Sequence, residues 1–517
     1  MAINILWADD EIDLLKPTIL YLKEKGYTVI PVTNGKDALD KVDTETVDVV
    51  FLDESMPGLT GLETLLRIKE KHSHLPCVMI TKNEEENLME DAIGSQISDY
   101  LIKPVKPQQI LSTLKKVIDS NRLISEKTSS NYQKEFQSLF MRLQDNLDFN
   151  EWKELYKKLI YWEIELDNSD ASQMQEVFNA QKEEANREFN KFVSKNYRNW
   201  LKEEAPNAPV MSHTLLKNKL FGLLKEDKPT FLVLIDNLRF DQWKAIQPAV
   251  SNSFRIEEED IFYSILPTVT QYSRNAIFAG MMPLEIQKKF PDKWIMDDDD
   301  EGKNLNEDYF LSELLKRTFR DEIKHQYIKI TNHRDGEALE NNIHNYLTNK
   351  LTVIVYNFVD MLSHARTEME VLKELASDEA AYRSLAVSWF DHSPLHNALK
   401  KIADKNVNVL ITTDHGTVRV KDPSKCIGDR QTTTNIRYKT GRNLAYEERD
   451  VFAVKNPEEI LLPKGNLTSS YIFAKENNYL VYQNNYNHFA NYYRNTFQHG
   501  GISLEEMLVP VVQLSSK

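Results

Sequence analysis

Residues 231–241 read FLVLIDNLRFD, an apolar run ending in an aspartate that decides the fold of the larger part of the chain. The bulky and β-branched residues before Asp236 predict a buried strand that delivers a carboxylate to a sheet edge. Three later segments repeat this pattern of an apolar strand followed by metal-type ligands. They carry, in chain order, Asp360 with His364, Asp414 with His415, and His499.

Between the first two of these segments lies PTVTQ, residues 267–271, in which Thr270 follows a proline-led turn. Three aspartates, three histidines and one hydroxyl are enough for two adjacent metal ions and a nucleophile. Imidazole and carboxylate ligands together favour Zn²⁺ or Mn²⁺ over Mg²⁺ or Ca²⁺. Two such ions about 3.5–4 Å apart stabilise the attacking and leaving oxygens of a phosphoryl displacement. Each residue taken singly also fits a helix cap or a buried hydrogen bond, but their joint order favours the metal centre.

Composition excludes several classes of protein. The chain has 517 residues and a formal net charge of −15, which argues against general binding to nucleic-acid backbones. Its two cysteines fall in different predicted domains, so we expect a reducing cytoplasm rather than a disulfide framework. The start MAINILWADDE lacks the pattern of a secretory signal. Membrane insertion is not expected, because no apolar run approaches the roughly 20 residues that a spanning helix needs.

Residues 1–120 alternate strand-like and helix-like patterns, which predicts a parallel sheet with helices on both faces. Polar residues follow the strands and should meet at their carboxyl ends. Crowded carboxylates there would hold Mg²⁺ and let one of them accept a phosphoryl group. The alternative, strand-end aspartates that only cap helices, explains one such residue better than it explains five. The five are Asp9, Asp10, Asp53, Thr81 and Lys103.

This segment resembles a response-regulator receiver domain, with WADDE, LDESMPG, MITK and YLIKP at the expected places. The resemblance implies a flavodoxin-like fold, phosphorylation of Asp53 by a histidine kinase, and Mg²⁺ held by Asp10 and the Ser55 carbonyl with help from Asp9. It also implies that Thr81 and Tyr100 form the switch pair and that Lys103 contacts the phosphoryl group. Receiver activation commonly produces symmetric dimers, so we expect an Asp53-dependent homodimer.

The remaining chain divides at two prolines near residues 205–210. Residues 121–210 show helical spacing of aromatic residues, which predicts a helical connector bundle with a packing face. Residues 211–517 contain recurrent strand patterns and predict one large α/β domain. The predicted fold class is therefore multidomain α/β, with a receiver at 1–120, the connector, and a domain built on a large central sheet.

The third segment resembles the alkaline phosphatase superfamily, and HGGISLEEMLVPVVQL, residues 499–514, is most similar to its PglZ branch. That resemblance implies two zinc ions. One set of ligands would be Asp360, His364 and His499, and the other Asp236, Thr270, Asp414 and His415.

The PTVTQ turn resembles the nucleophile turn of the superfamily's nucleotide phosphodiesterases, which implies that Thr270 is the nucleophile; Thr268 is the second candidate. Those enzymes carry an asparagine three residues beyond the nucleophile, where this chain has Ser273. We expect Arg274 or Asn275 to replace that contact with the substrate phosphate, and Ser273 belongs with them to the predicted substrate-binding residues.

A basic segment lies between residues 417 and 442, directly after Asp414 and His415. We predict that it forms an electropositive wall, with Arg437 and Lys439 binding the phosphates of an extended substrate. The alternative is an exposed loop whose basic side chains neutralise nearby acids. The seven basic residues are Arg419, Lys421, Lys425, Arg430, Arg437, Lys439 and Arg442.

The order of receiver, connector and PglZ-type domain resembles a family of response regulators associated with type IX secretion. The resemblance implies a cytoplasmic two-component regulator whose partners are a histidine kinase and secretion-system components or a sigma factor. No helix-turn-helix pattern is present, so direct promoter binding is not expected.

Two hypotheses of function follow from different classes. The first is a phosphorylation-controlled, zinc-dependent phosphodiesterase acting on nucleotide-type substrates, cyclic or linear oligonucleotides. The second is a non-enzymatic signalling adaptor whose metal site is structural and whose output is protein binding. A phosphomonoesterase or phosphomutase fits the threonine turn and the basic segment less well. A nucleophile beside two metal ions favours the enzyme, since a structural site has no use for one.

Overall fold

The computed structural model describes the chain apart from residues 1–2, 73–74, 83–96, 170–171, 203–207, 296–303, 358–377, 430–431 and 467, and apart from the side chains of residues 70, 118–126 and 172–173. The chain forms two compact units. The first comprises Met1–Phe136 with Glu165–Glu176, and the second comprises Gln137–Ile164 with Val177–Lys517. Within the described residues, no helix combines the length and the apolar character needed to cross a membrane.

The first unit contains a five-stranded parallel sheet in the order β2-β1-β3-β4-β5. Its strands alternate buried side chains between two apolar clusters, one on each face, so that Trp7 and Leu6 lie in different clusters. Trp7 packs 5.5 Å from the ring of Phe51. The strands are β1 (Ile3–Ala8), β2 (Tyr27–Val32), β3 (Val49–Asp53), β4 (Cys77–Thr81) and β5 (Asp99–Ile102), and the helices are α1 (Lys16–Glu24), α2 (Gly35–Thr44) and α3 (Gly61–Lys71).

Three long helices follow: α4 (Pro107–Gln144), α5 (Phe149–Asp167) and α6 (Ser172–Trp200). The boundary predicted near residue 120 falls inside α4, which continues without a break. The aromatic spacing is a packing face, as predicted: Trp152 and Phe189 are buried with ring centroids 5.3 Å apart.

Buried ion pairs explain why most of α5 and α6 belongs to the second unit. Lys182 of α6 lies 2.9 Å from Glu163 of α5 and 3.0 Å from Glu505 near the end of the chain. Asn186 donates to the same Glu505 carboxylate at 3.1 Å. A buried charge is stable only when it is paired, so these contacts hold the two helices against the α/β domain.

The α/β domain is built on a six-stranded mixed sheet in the order β7-β19-β10-β6-β9-β8. Strands β10, β6, β9 and β8 run parallel, and β19 runs antiparallel to both of its neighbours, β10 and β7. The large central sheet predicted from the sequence is confirmed. Its strands are β6 (Thr230–Ile235), β7 (Phe254–Tyr263), β8 (His325–Ile330), β9 (Leu351–Tyr356), β10 (Asn408–Thr412) and β19 (Leu508–Ser516).

Nine of the described α-helices belong to this domain, along with several short single-turn helices. They are α7 (Phe240–Ser251), α8 (Thr270–Ala279), α9 (Pro283–Lys289), α10 (Glu307–Thr318), α11 (His333–Asn342), α12 (Glu379–Asp391), α13 (Pro394–Ile402) and α14 (Tyr486–Tyr493), and a last short helix, α15, spans Leu504–Met507.

Residues 418–498 add small sheets beside the central one. Strand β11 (Val418–Arg419) pairs with β18 (Phe497–Gln498). Two three-stranded sheets have the orders β14-β12-β17 and β13-β16-β15. Their strands are β12 (Asp422–Ile427), β13 (Tyr438–Gly441), β14 (Ala445–Tyr446), β15 (Val451–Val454), β16 (Ser470–Ala474) and β17 (Asn478–Tyr482).

Candidate metal centre and phosphoacceptor site

Two aspartates meet at the carboxyl edge of the central sheet. Asp236 follows β6 and Asp414 follows β10, and these strands are parallel neighbours, so both carboxylates emerge at the same edge. Together with His415 they present ligand atoms within 4.8 Å of one another, and all three side chains are buried. The sequence prediction that these residues converge agrees with this geometry.

The Asp414 carboxylate and the His415 ring are fixed by the main chain. Asp414 Oδ1 accepts from the amides of Asn237 at 3.2 Å and His415 at 3.0 Å. Asn237 has φ 63°, in the left-handed region that asparagine tolerates. His415 Nδ1 lies 3.1 Å from the Gly416 carbonyl, so this nitrogen carries the proton and Nε2 presents its lone pair.

Thr270 lies directly opposite that lone pair. It is the first residue of α8, and its Oγ1 lies 3.1 Å from His415 Nε2 and 3.5 Å from Asp236 Oδ1. The N-terminus of a helix favours negative charge, which suits a phosphate group bound at this hydroxyl. Of the two threonines considered as nucleophile, Thr270 has the geometry for it.

The Thr268 hydroxyl has a structural role. Its side chain is fully buried, donates to the Gly501 carbonyl at 3.0 Å and accepts from the Gly500 amide at 3.0 Å. Both of these partners belong to the glycine pair that follows His499. Thr268 therefore holds that loop in place and is not oriented toward the other ligands.

His499 joins the same centre. Its ring stacks on His415 with centroids 4.3 Å apart, and its Nδ1 lies 3.2 Å from the Thr268 carbonyl. This contact orients Nε2 as the ligand atom, as at His415. The two remaining predicted ligands, Asp360 and His364, lie outside the described residues. The donor set Asp236, Thr270, Asp414 and His415 fits one divalent ion of the zinc type by chemistry and by spacing.

Arg274 contradicts its predicted role. Its fully buried guanidinium pairs with Asp236 and lies 2.9 Å from Asp414 Oδ2, instead of pointing toward substrate. Burial alone would lower the pKa of Arg274, but the charges of Asp236, Asp414 and Glu307 hold it well above the ordinary value. The same guanidinium overcomes the effect of burial on Asp414 and depresses the pKa of that carboxyl.

Ser273 and Asn275 are also turned into the core, so their predicted contacts with substrate are wrong. The Ser273 hydroxyl lies 2.9 Å from that of Ser264, and Asn275 Nδ2 donates to the Gln271 carbonyl at 2.8 Å. Both side chains are buried.

The predicted electropositive wall is wrong for its two central residues. Arg437 is fully buried, with Nε 3.1 Å from Glu506 Oε1 and Nη2 2.5 Å from Glu506 Oε2. Lys439 is buried and donates to the carbonyls of Thr433 and Thr434 at 2.9 and 3.2 Å. Burial lowers the pKa of Lys439 to about 8. Arg437 is paired with a carboxylate 69 residues further along the chain, and Lys439 Nζ lies 4.2 Å from the centre of the Tyr482 ring, so the local sequence does not reveal that either side chain is buried.

Sequence reasoning missed Glu506. Its carboxylate accepts from the Gly501 amide at 2.9 Å, and its carbonyl accepts from the Gly416 amide at 3.2 Å. Arg437 and Glu506 thus brace the two loops that carry His415 and His499. A usable signal was present, because two glutamates inside the apolar run ISLEEMLVP are unusual unless they are paired.

The receiver has a second carboxylate cluster at the carboxyl edge of its own sheet. Ligand atoms of Asp9, Asp10 and Asp53 lie within 4.8 Å of one another, which fits a Mg²⁺ ion. Lys103 Nζ lies 3.0 Å from both Asp9 and Asp53. Burial alone would lower the pKa of Lys103, but its bonds to these carboxylates raise it.

The predicted switch residues lie near this cluster in the sheet. The Thr81 hydroxyl donates to Glu54, and the Tyr100 side chain is 39% exposed. Ser55 is exposed, and its carbonyl remains the predicted Mg²⁺ ligand. The switch role of Thr81 and Tyr100 and the phosphoryl contact of Lys103 stay predictions.

Asp53→Asn is expected to stabilise the receiver at pH 7. Burial raises the pKa of Asp53, while Lys103 opposes the shift and Asp9 adds to it. When the pKa of a carboxyl group is higher in the folded than in the unfolded protein, the free energy of unfolding falls as the pH rises through the folded-state pKa. The ionised Asp53 carboxylate therefore destabilises the fold at neutral pH. Slower hydrogen–deuterium exchange in β3 of the variant would show its higher stability. The difference in stability between the variant and the unmodified chain should become smaller as the pH falls and Asp53 becomes protonated. Asp40→Asn, an exposed substitution, is the control; faster exchange in Asp53→Asn would contradict the expectation.

Three family models match successive parts of the chain. A response regulator receiver domain matches residues 5–115, a PorX response regulator linker domain matches residues 122–201, and the BREX system PglZ alkaline phosphatase-like domain matches residues 215–514. The domain limits predicted from sequence, 1–120, 121–210 and 211–517, stay predictions.

Curated relatives match the receiver. The regulatory protein VanR of Enterococcus faecium is 32% identical over 115 residues, which are 22% of this chain and 49% of VanR. The alkaline phosphatase synthesis transcriptional regulatory protein PhoP of Bacillus subtilis is 30% identical over 117 residues, 22% of this chain and 48% of PhoP. The chain spans about half the length of the curated relatives it matches.

Solved structures match the same region. A CheY-like receiver domain protein from Methanospirillum hungatei is 23% identical, with a TM-score of 0.23, covering 23% of this chain and 96% of that one. The chemotaxis protein CheY4 of Vibrio cholerae is 26% identical, with a TM-score of 0.22, covering 23% and 99%.

The fold and the two carboxylate sites define a response regulator whose receiver is joined to an alkaline phosphatase-like domain. The PglZ match covers more than half of the sequence, and the chain belongs to the PglZ alkaline phosphatase-like family. Its receiver, linker and PglZ domain follow the PorX-like order predicted from the sequence. The receiver implies a phosphodonor such as a histidine kinase.

Proposed function

We propose that this protein is a phosphorylation-controlled, zinc-dependent phosphodiesterase acting on nucleotide-type substrates, cyclic or linear oligonucleotides, in a two-component system that regulates type IX secretion. One observation carries the proposal: a threonine hydroxyl at a helix N-terminus lies 3.1 Å from His415 Nε2 and 3.5 Å from an Asp236 oxygen. Secretion-system components or a sigma factor, and a homodimer formed on phosphorylation of Asp53, belong to the same proposal.

In the proposed reaction, Thr270 Oγ1 attacks the phosphorus of the diester and the bond to one ester oxygen breaks, releasing an alcohol. Water then cleaves the phosphothreonine ester and restores the hydroxyl. Asp236 Oδ1 and His415 Nε2 orient the threonine hydroxyl. Its proton is released to solvent when Oγ1 attacks, and the departing ester oxygen takes up a proton from water. The helix N-terminus favours the negative charge that develops on the phosphoryl oxygens.

Zinc would be held by Asp236, Thr270, Asp414 and His415, and a second ion by His499 with the predicted ligands Asp360 and His364. When bound, zinc supplies Lewis-acid stabilisation of the phosphoryl oxygens and eases loss of the threonine proton. Around these ligands, the protein fixes the histidine tautomers through the carbonyls of Gly416 and Thr268.

One observation favours the alternative, a signalling adaptor whose output is protein binding. Arg274 places a permanent positive charge between Asp236 and Asp414, and this charge compensates the two buried carboxylates. A non-enzymatic adaptor requires only that these carboxylates are compensated. The phosphodiesterase also requires a hydroxyl beside them, and Thr270 Oγ1 lies 3.5 Å from Asp236 Oδ1.

The zinc-loaded chain is expected to hydrolyse bis(p-nitrophenyl) phosphate faster than p-nitrophenyl phosphate. Release of p-nitrophenol, measured with metal content determined on the same sample, tests the proposal. Preference for the monoester would favour a phosphatase instead. Absence of turnover of both esters, in a sample with two bound zinc ions, would favour the adaptor.

A further inference from the structure

One stretch of this acidic chain is free of acidic residues and rich in aromatic ones. Although the chain has 79 aspartates and glutamates, none falls between residues 477 and 504. Seven tyrosines or phenylalanines lie between residues 479 and 497, and asparagines are interspersed among them. Aromatic, amide and basic side chains without carboxylates are the composition expected of a surface that meets a polyanion.

Five ring side chains lie on α14, and we call Tyr486, His488, Phe489, Tyr492 and Tyr493 the aromatic face. Tyr486 and Tyr493 are half-buried and pack against the apolar cluster that contains Val418 and Tyr479, and the other three rings are exposed. Phe489 and Tyr492 are 38% and 37% exposed. The His488 ring stacks with Tyr492 at 6.2 Å, and Phe489 stacks with Tyr493 at 6.3 Å. The rings thus form an ordered surface rather than scattered side chains.

The surroundings of the aromatic face are basic. Lys425 Nζ of β12 lies 5.1 Å from the centre of the Tyr486 ring, and Arg494 is exposed directly after the helix. The Tyr486 hydroxyl donates to the Pro423 carbonyl at 3.0 Å, which anchors α14 against the same strand. Asp422, exposed at the start of β12, is the one acidic residue of that strand.

The aromatic face is tied to the metal centre through the backbone. Strand β18 ends one residue before His499, and its partner β11 begins three residues after His415. Two backbone hydrogen bonds with Val420 fix the segment that joins α14 to β18. The Asn495 amide donates to the Val420 carbonyl at 2.7 Å, and the Val420 amide donates to the Thr496 carbonyl at 2.9 Å. A short stretch of chain with fixed backbone contacts therefore joins the aromatic face to His499, and the pairing of β18 with β11 joins it to the segment that follows His415.

We propose that the aromatic face binds the bases of a single-stranded oligonucleotide outside the phosphodiester that reacts. This rests on the proposed function and names its substrate class. Every base has a π-face, so stacking on Phe489 and Tyr492 tolerates any sequence, while Lys425 attracts the phosphates. The net charge of −15 does not oppose this, because no carboxylate lies within the segment that forms the face.

Fluorescence anisotropy with a fluorescein-labelled ten-nucleotide single strand tests the proposal. The full-length chain carries Thr270→Ala so that the probe stays intact. Adding Phe489→Ala with Tyr492→Ala is expected to weaken binding at least about tenfold, since both rings are exposed and stack bases. Replacing them with Phe489→Tyr and Tyr492→Phe should retain binding. The matched control is Tyr161→Ala, a tyrosine 54% exposed on α5, which should bind the probe like its parent.

Three results would overturn the inference. They are a parent chain that does not bind the probe, a double alanine variant that binds as the parent does, and an equal loss in Tyr161→Ala. A fourth result would also overturn the inference. If the double alanine variant changes its oligomeric state in light scattering while its anisotropy titration is unchanged, the aromatic face makes protein contacts instead.

The same surface variants in a chain that retains Thr270 separate this inference from the proposed function. Their loss of activity on the ten-nucleotide strand should exceed their loss on bis(p-nitrophenyl) phosphate at least about tenfold. If the small diester is not hydrolysed while the surface variants still weaken binding, the proposed function fails and the inference stands. If the small diester is hydrolysed and the surface variants bind the ten-nucleotide strand normally, the inference about the aromatic face fails and the proposed function stands.

Discussion

Thr270→Ala is expected to lower diester hydrolysis by the zinc-loaded chain about 10³-fold or more, because it removes the nucleophile itself. The Oγ1 atom lies between His415 Nε2 and Asp236 Oδ1, and no hydroxyl replaces it at that position in the alanine variant. Initial rates with bis(p-nitrophenyl) phosphate, at equal zinc content, measure the effect. Thr270→Ser keeps an attacking oxygen and should retain most of the activity.

Thr348→Ala is the matched control, an exposed threonine whose hydroxyl donates to the Asn345 carbonyl at 3.2 Å and accepts from Lys324 Nζ at 3.5 Å. It should behave like the unmodified chain. If Thr270→Ala keeps its rate within tenfold, the attacking group is something other than Thr270. Zinc analysis of the variant is needed, because a loss of bound metal would lower the rate for a different reason.

Arg274→Leu is expected to cost the metal-free protein about 3–5 kcal/mol of unfolding free energy, because removing one partner of a buried ion pair leaves the others uncompensated. Asp236 and Asp414 have 1% and 0% of their surface exposed, so water does not replace the lost guanidinium. Thermal unfolding in the presence of a chelator should show a correspondingly lower midpoint.

Zinc is expected to restore much of this loss. The ion and the guanidinium neutralise the same two carboxylates, so added zinc should raise the midpoint of Arg274→Leu more than that of the unmodified chain. Arg334→Leu, at an exposed position on α11, is the control and should respond to zinc as the unmodified chain does. An equal response of Arg274→Leu and the unmodified chain would show that Arg274 and the metal act independently.

The strand-end ligands illustrate where sequence reasoning succeeds. Asp236 and Asp414 were predicted to converge because each follows an apolar strand, and parallel neighbours bring their carboxyl ends to one edge. The same argument placed Asp9, Asp53 and Lys103 together in the receiver. In these cases the local pattern carries the three-dimensional information.

The helical connector illustrates a partial success. The spacing of Trp152 and Phe189 predicted a helix packing face, and both rings are buried. The boundary near residue 120 falls inside α4, and the unit boundaries fall elsewhere. An ion pair of Lys182 and a hydrogen bond of Asn186, both with Glu505, attach α6 to the α/β domain. Those partners are hundreds of residues apart, so no sequence window contains them.

The sequence by itself determined the order of the domains, the strands that end in ligands, and the threonine turn, since all of these are written in short contiguous patterns. Only the tertiary structure decided which charged side chains stabilise the fold and which remain available to bind a substrate. Arg274, Arg437 and Lys439 looked like phosphate-binding cations, yet all three are buried. Arg274 and Arg437 pair with carboxylates of other segments, Asp236 and Glu506, and Lys439 donates to the carbonyls of Thr433 and Thr434. The physical reason is that a charge inside a protein must be compensated where it lies, and only the folded chain brings its compensating groups there.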